Sequence, residues 1–154
     1  MLIRVLLRVA RIAFFLTLAV PSFATLGEPL DSVARDQWRL KAVMHFRQAG
    51  SYAIYDIQCP TGTVVREYVS TAGQVFAVEW QGPFIPELQP LLGQYFKQYS
   101  RSAAEQRAHY AGKRPLRINE PGLVFETSGH MGAYWGRAID PGLLPAGVGI
   151  DDIR

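Results

Sequence analysis

Few side chains in this chain could do chemistry on their own. There is one cysteine, there are three histidines, and the remaining candidates are charged and aromatic residues on strand-like segments. Cys59 is the candidate thiol nucleophile. A reactive thiolate needs a base or a positive field beside it to lower its pKa. No histidine is near Cys59 in sequence, so the alternative is a small buried hydrophobe at a strand end. His45, His109 and His130 are scattered, without the His-x-x-x-His or Cys-x-x-Cys spacing that aims two ligands at one ion. No metal and no cofactor is expected. His130 with Glu126 is the candidate acid–base pair, with Glu67 as a second possible carboxylate, and such a pair would suit a small envelope hydrolase or transferase. Ser128-Gly129-His130 reads as a turn, so Glu126 and His130 gain no helical register from being four apart. Ser128 also lacks the Gly-x-Ser-x-Gly setting of a nucleophile elbow.

Arg66-Glu67-Tyr68 is the most polar stretch of any predicted strand. Adjacent residues point to opposite faces, so Arg66 and Tyr68 share one side and Glu67 takes the other. One explanation is cross-strand pairing, for instance of Glu67 with a basic neighbour, at about 0.2–1 kcal/mol. The other is a ligand patch in which Arg66 and Tyr68 join Trp80, Trp135 or Arg137. Arginine offers a fork for carboxylates, and aromatic rings offer flat surfaces for sugars or peptides. The segment Trp80-Gln81-Gly82-Pro83-Phe84 suits such a patch, because it carries apolar bulk out of regular structure. It would equally serve to staple the start of the next helix onto the sheet.

The elements that must position these residues follow from periodicity. Asp31 is placed to cap a short helix with Val33, Gln37 and Leu40 on one side and Trp38 beside them. Val43, His45 and Phe46 then begin to alternate like a strand. Three strands are predicted next, in Ser51 to Cys59, Thr63 to Ser70 and Gln74 to Trp80, joined by turns at Pro60-Thr61-Gly62 and Thr71-Ala72-Gly73. The first places Ala53, Tyr55, Ile57 and Cys59 on one face. The third places Phe76, Val78 and Trp80 on one face and Val75, Ala77 and Glu79 on the other. Pro86 and Glu87 suit the start of a long helix. Its apolar stripe is Leu88, Leu91, Leu92, Tyr95, Phe96 and Tyr99, extended by Ala103 and Tyr110 and ended by Gly112 and Pro115. Gly122 to Ser128 and Met131 to Ile139 form a second hairpin. The tail from Leu143 to Val148 is apolar, broken by Pro145 and Gly147, and is expected to run as extended chain along a sheet edge. The fold class is α+β: an antiparallel sheet, made of a three-strand meander plus a C-terminal hairpin, packed against one long amphipathic helix.

Length, charge and the N-terminus bound the function. The chain has 154 residues, enough for one ordinary domain, with 49% hydrophobic and 19% charged residues. Its formal charge of +3 resides in Arg4, Arg8 and Arg11, since residues 25–154 carry 13 basic and 13 acidic side chains. A neutral domain has no overall field to steer polyanions, which argues against a nucleic-acid partner. Those arginines lead into the apolar run Ile12 to Val20, then Pro21, then Ser22-Phe23-Ala24 with small residues at the −3 and −1 positions of a peptidase site. A run of nine residues falls well short of the roughly 20 that a membrane-spanning helix needs. Residues 1–24 are therefore expected to be a cleavable signal peptide and residues 25–154 a single exported domain, with no membrane span after cleavage. A lone cysteine permits no internal disulfide, so the core must carry stability unaided.

Six short blocks, in order, carry a resemblance. They are Val65 to Val69, Gly73 to Trp80, Gly82-Pro83, Leu91 to Phe96, Gly129-His130-Met131 and Leu144 to Gly147. Together they resemble the domain-of-unknown-function family 2844, across nearly all of the chain after the leader. The resemblance implies export from a proteobacterial cell to the periplasm and a single domain. It carries no activity, cofactor or catalytic residue. The expectation is a non-enzymatic binding or accessory domain of the bacterial envelope, whose partner is a cell-wall fragment, a polysaccharide or another envelope protein.

Overall fold

The structure, a computed structural model, describes residues 25–109 and 115–153. The expected leader, Tyr110 and Gly112 lie outside the described residues. The chain folds as α1 (Asp31–Leu40), β1 (Val43–Ala49), β2 (Tyr52–Gln58), β3 (Val64–Ser70), β4 (Val75–Gly82), α2 (Leu88–Leu92), a 3₁₀ turn at Gly93–Tyr95, α3 (Phe96–His109), β5 (Leu116–Glu120), β6 (Leu123–His130) and β7 (Ala133–Ile139). All seven strands form one antiparallel sheet in the order β1-β2-β3-β4-β7-β6-β5. The architecture is α+β.

Two strands join the expected meander and hairpin. The alternation begun at Val43 becomes a full edge strand, β1. Leu116 and Ile118 are buried on alternate positions of β5, a strand too short to stand out beside Pro115. The second hairpin turns at Met131-Gly132, because His130 pairs with Ala133; Ser128, Gly129 and His130 belong to β6.

Strand β4 is central and buried from Val75 to Trp80 on both faces. A register shift between Tyr68 and Val69 inserts an extra β4 residue, so Phe76 and Ala77 both oppose the Tyr68 side. This corrects the predicted faces. Val75, Val78 and Trp80 join the core under the helices, whereas Phe76 and Ala77 join the core on the opposite face.

The helical face is closed by aromatic stacking. Tyr99 of α3 lies 4.6 Å, centroid to centroid, from Phe125, which lies 5.7 Å from Trp80. Such pairs contribute about 0.5–1.5 kcal/mol each beyond their buried area. Leu91 and Leu92 are fully buried, with Leu88, Tyr95 and Phe96 packed beside them. The predicted long helix is interrupted at Gly93, whose φ of 49° and ψ of −117° end α2 and turn the stripe before α3 resumes. Ser102, Gln98 and Arg101 of α3 all bond the Glu120 carboxylate, which fastens α3 to β5. These hydrogen bonds, that of Ser102 first, hold the Glu120 carboxyl below its usual pKa.

The opposite face is covered by the C-terminal tail. Leu143, Leu144, Val148, Ile150 and the fully buried Ile153 pack on Ile54, Tyr68, Phe76 and Ile139. The tail lies across a sheet face in two 3₁₀ turns, not extended along an edge. Its apolar residues have a bare strand surface to bury there, which an edge does not offer. The N-terminal residues are also packed in: Leu26 donates to Leu91 O at 3.0 Å, and Gly27 to Val75 O at 2.8 Å. Asp31 sits in the first turn of α1, with Leu30 at the cap position, so it favours the helix dipole without capping it.

Gly136 is the tightest point of the helical core: a Cβ there would stand 2.2 Å from Cζ2 of Trp80. Gly136→Ala is expected to cost about 3 kcal/mol, since no rigid indole at the sheet centre can step aside. Denaturant unfolding checks this; an unchanged midpoint would contradict the packing described.

Candidate functional site

The tail-covered face carries a ladder of alternating charge across the sheet. In register, Arg117 pairs with Glu126, Glu126 with Arg137, Arg137 with Glu79, Glu79 with Arg66, and Arg66 with Asp56. Arg137 reaches Glu126 at 2.9 Å, Arg66 reaches Glu79 at 3.0 Å and Asp56 at 2.9 Å, and Arg47 closes the end on Asp56 at 3.0 Å. Neighbouring strands bring such residues within direct pairing distance, and opposite signs are the favourable choice.

One rung stays open. Glu79 and Arg137 are register partners, but each is committed elsewhere. Glu79 accepts from Arg66 Nη1 at 3.0 Å and from the Tyr68 hydroxyl at 2.8 Å. Arg137 donates Nη1 to the carbonyls of Ile150 and Ile153 at 2.9 and 2.8 Å, and Nε to Glu126 at 3.0 Å. Over this rung lies an open cavity of about 430 Å³ lined by Arg66, Glu79, Gln81, Trp135, Arg137 and Ile153. A second hollow of about 350 Å³ adjoins it through Gln81 and Trp135 and reaches Pro83 and Tyr134. The two make one trough, with Gln81 and the Trp135 indole, 40% exposed, lining both halves.

The ionisation states follow from this packing. Burial works against the Arg66 charge, but the Glu79 and Asp56 carboxylates outweigh it and raise its pKa. Burial, then the adjacent Glu79 carboxylate, pushes the Tyr68 phenol upward, so Tyr68 remains a hydrogen-bond donor. Tyr95 is pushed up to about 12, by burial and then by its hydrogen bond to Asp140, which joins the 3₁₀ turn to the end of β7.

The predicted site residues divide accordingly. Arg66, Trp135 and Arg137 meet in the trough, and Tyr68 supports it from beneath through Glu79. Trp80 does not belong: it is fully buried under the helices, on the other face of the sheet. Glu79, Gln81 and the tail residue Ile153 also line the trough, and sequence reasoning missed all three; Glu79 and Gln81 carried a signal. They flank Trp80, so placing Trp80 inward would have turned both toward the trough.

The acid–base candidates do not assemble. His130 is exposed at the end of β6, where its Nδ1 lies 3.2 Å from Met131 O. Four strand residues span about 13 Å, which separates it from Glu126 on the same strand. Glu126 is held by Arg137. Glu67 is wholly buried on the helical face, its neighbours being Asp36 and Arg39 rather than any histidine. Cys59 packs against the helical core, and burial, opposed by Arg39, raises its thiol pKa. Among the described residues, no cluster of three or more histidine, cysteine, aspartate or glutamate side chains could hold a metal ion. A larger hollow of about 680 Å³ lies between α1 and Pro90, with mostly apolar walls beside the exposed Trp38. The trough is the better candidate, because preorganised donors and acceptors converge there on an exposed ring.

The chain belongs to a family of proteins of unknown function, DUF2844, whose model matches residues 22–153. No curated protein and no solved structure matches it. Among the described residues, no helix is long and apolar enough to cross a membrane.

Arg137→Gln is expected to cost about 2–4 kcal/mol, because it leaves Glu126 only the more distant Arg117 and frees both tail carbonyls. Hydrogen exchange should then show the amides of residues 148–153 exposed ahead of global unfolding; tail protection equal to wild type would refute the clamp. Cys59 is expected to react with iodoacetamide at pH 8 more slowly than free cysteine, with a rate that matches it telling against burial of the thiol.

Proposed function

We propose that this chain is an exported, non-enzymatic binding domain of the bacterial envelope, and that the trough over Trp135 holds a saccharide segment of the cell wall or of a surface polysaccharide. The observation that carries this reading is the open rung. Glu79, Gln81 and Arg137 present oriented polar atoms beside a half-exposed indole, which matches the alternating hydroxyl edges and apolar faces of sugar rings.

Charge supports a neutral ligand over an anion. Arg66 and Arg137 already have their carboxylates, so neither fork is free for an acidic group. The two joined hollows suit a ligand of repeating units, one ring on each side of the indole. The C-terminal tail, held by Arg137, forms one wall through Ile153 and keeps the trough preformed. Signal-directed export, as read from residues 1–24, would deliver the domain to where such glycans are.

Isothermal titration with soluble cell-wall glycan fragments and neutral envelope polysaccharides tests this. Trp135→Ala is expected to weaken binding by about tenfold or more, and Trp38→Ala to leave it unchanged. Absence of binding to any glycan, or loss through Trp38 instead, would remove the proposal.

A further inference from the structure

The helical face hides a second, unbalanced set of charges. Glu67 is fully buried, and no N–H or hydroxyl group among the described residues donates to its oxygens; its hydrogen-bond contact is with the Asp36 carboxyl, which needs a proton on one of the two. It faces the carboxylate of Asp36, itself 5% exposed, and the nearby cation is Arg39 of α1. Arg39 bonds Asp36 through Nε at 3.1 Å and also approaches the exposed Glu87 at 3.6 Å. The other titratable group beside Arg39 is the Cys59 thiol. Two buried carboxyls thus share one cation, an arrangement that costs stability unless a further positive charge or a bound proton completes it.

The next polar group in this cluster is Thr25. It is 1% exposed, its hydroxyl donates to Asp36 Oδ2, and its backbone nitrogen donates to Pro90 O at 3.2 Å. Hydroxyl and nitrogen belong to one residue, so the nitrogen is held beside the same carboxylate. Thr25 also follows Ala24, where the small residues of the leader place the peptidase site.

We propose that the Ala24–Thr25 bond is the processing point of this chain, and that the α-ammonium freed at Thr25 is the counter-ion of the buried Asp36–Glu67 pair. The proposal rests on the export reading above. A signal peptidase breaks the peptide C–N bond with one water: the hydroxyl stays on the Ala24 carbonyl carbon, and the hydrogen goes to the Thr25 nitrogen. That amine takes a further proton from solvent. The resulting ammonium has three N–H groups; one keeps Pro90 O and two are left for the carboxyls. Processing therefore completes the core.

The sign of the pH dependence separates the two forms. With Thr25 still acylated, burial and the Asp36 charge raise the Glu67 pKa well above its ordinary 4.5. The stability linked to Glu67 is then full below the ordinary value and is lost as pH rises through the raised one. With the ammonium present, that loss is deferred until the amine deprotonates.

Every strand, helix and core residue described lies within residues 25–153, so a chain beginning at Thr25 retains all of the described elements. The test compares it with the same chain carrying a short Gly-Ser extension ahead of Thr25. At pH 7.5 the Thr25-initiated form is expected to melt about 5 °C or more higher. Glu67→Gln should lower Tm in that form and raise it in the extended one, and the Thr25 amine should titrate above the ordinary 7.7–8.0 range. Equal melting temperatures, with Glu67→Gln shifting both forms in the same direction, would overturn the counter-ion. Intact mass of the protein from its native cell decides processing separately: a chain starting at Thr25 supports it, and one starting at Met1 overturns it together with export.

Discussion

Burial of β4 on both faces obliges the chain to supply two covering layers, and it draws them from different parts of the sequence. The helical segment from Leu88 to His109 covers one face, with Trp80, Phe125 and Tyr99 stacked beneath it. The C-terminal tail covers the other, with Ile153 fully buried against the second core. An antiparallel sheet more often leaves one face to solvent. Here the second cover is thin and irregular, so side chains must fasten it. Arg137 does so by donating to two tail carbonyls while bound to Glu126.

That fastening ties structure to function. The charge ladder selects strand register, because a slip by one residue would send Arg66, Glu79, Arg137 and Glu126 to the opposite face. Once in place, each charged group is satisfied by a neighbour strand, and the gap between Glu79 and Arg137 is left lined with oriented polar atoms. Rigid, mutually neutralised charges discriminate by hydrogen-bond geometry more than by field strength. On the proposed reading, such a site recognises an uncharged polar ligand by the placement of its hydrogen-bonding atoms.

Much of the fold was legible in the sequence, and the misses have physical causes. Strands β2 and β3, and the helical stripe from Leu88 to Ala103, are legible because their periods are clean. Bulges are not visible in alternation, so the extra residue at Phe76-Ala77 reversed part of the predicted β4 faces. Gly93 looked like one more residue of a continuous helix, although its backbone ends α2. The tail carried only composition, which says that it must be buried without saying where. For the candidate site, Arg66, Trp135 and Arg137 were named from residue type, but their convergence depends on β4 lying beside β7, a long-range pairing such as Ala77 with Ile139 that no local pattern contains. Trp80 was misplaced for the same reason: its size suited a ligand platform as well as a core.

The three tryptophans sit in three different settings, which makes them reporters for the central claim. Trp135 lies in the trough, Trp38 is exposed on α1 beside the apolar hollow, and Trp80 is sealed in the helical core. The most direct measurement follows their indole N–H resonances by NMR while glycan fragments are added. A saccharide-binding trough predicts that the Trp135 signal shifts saturably while those of Trp38 and Trp80 stay in place. Movement of the Trp38 signal alone, or of none of the three, would contradict it.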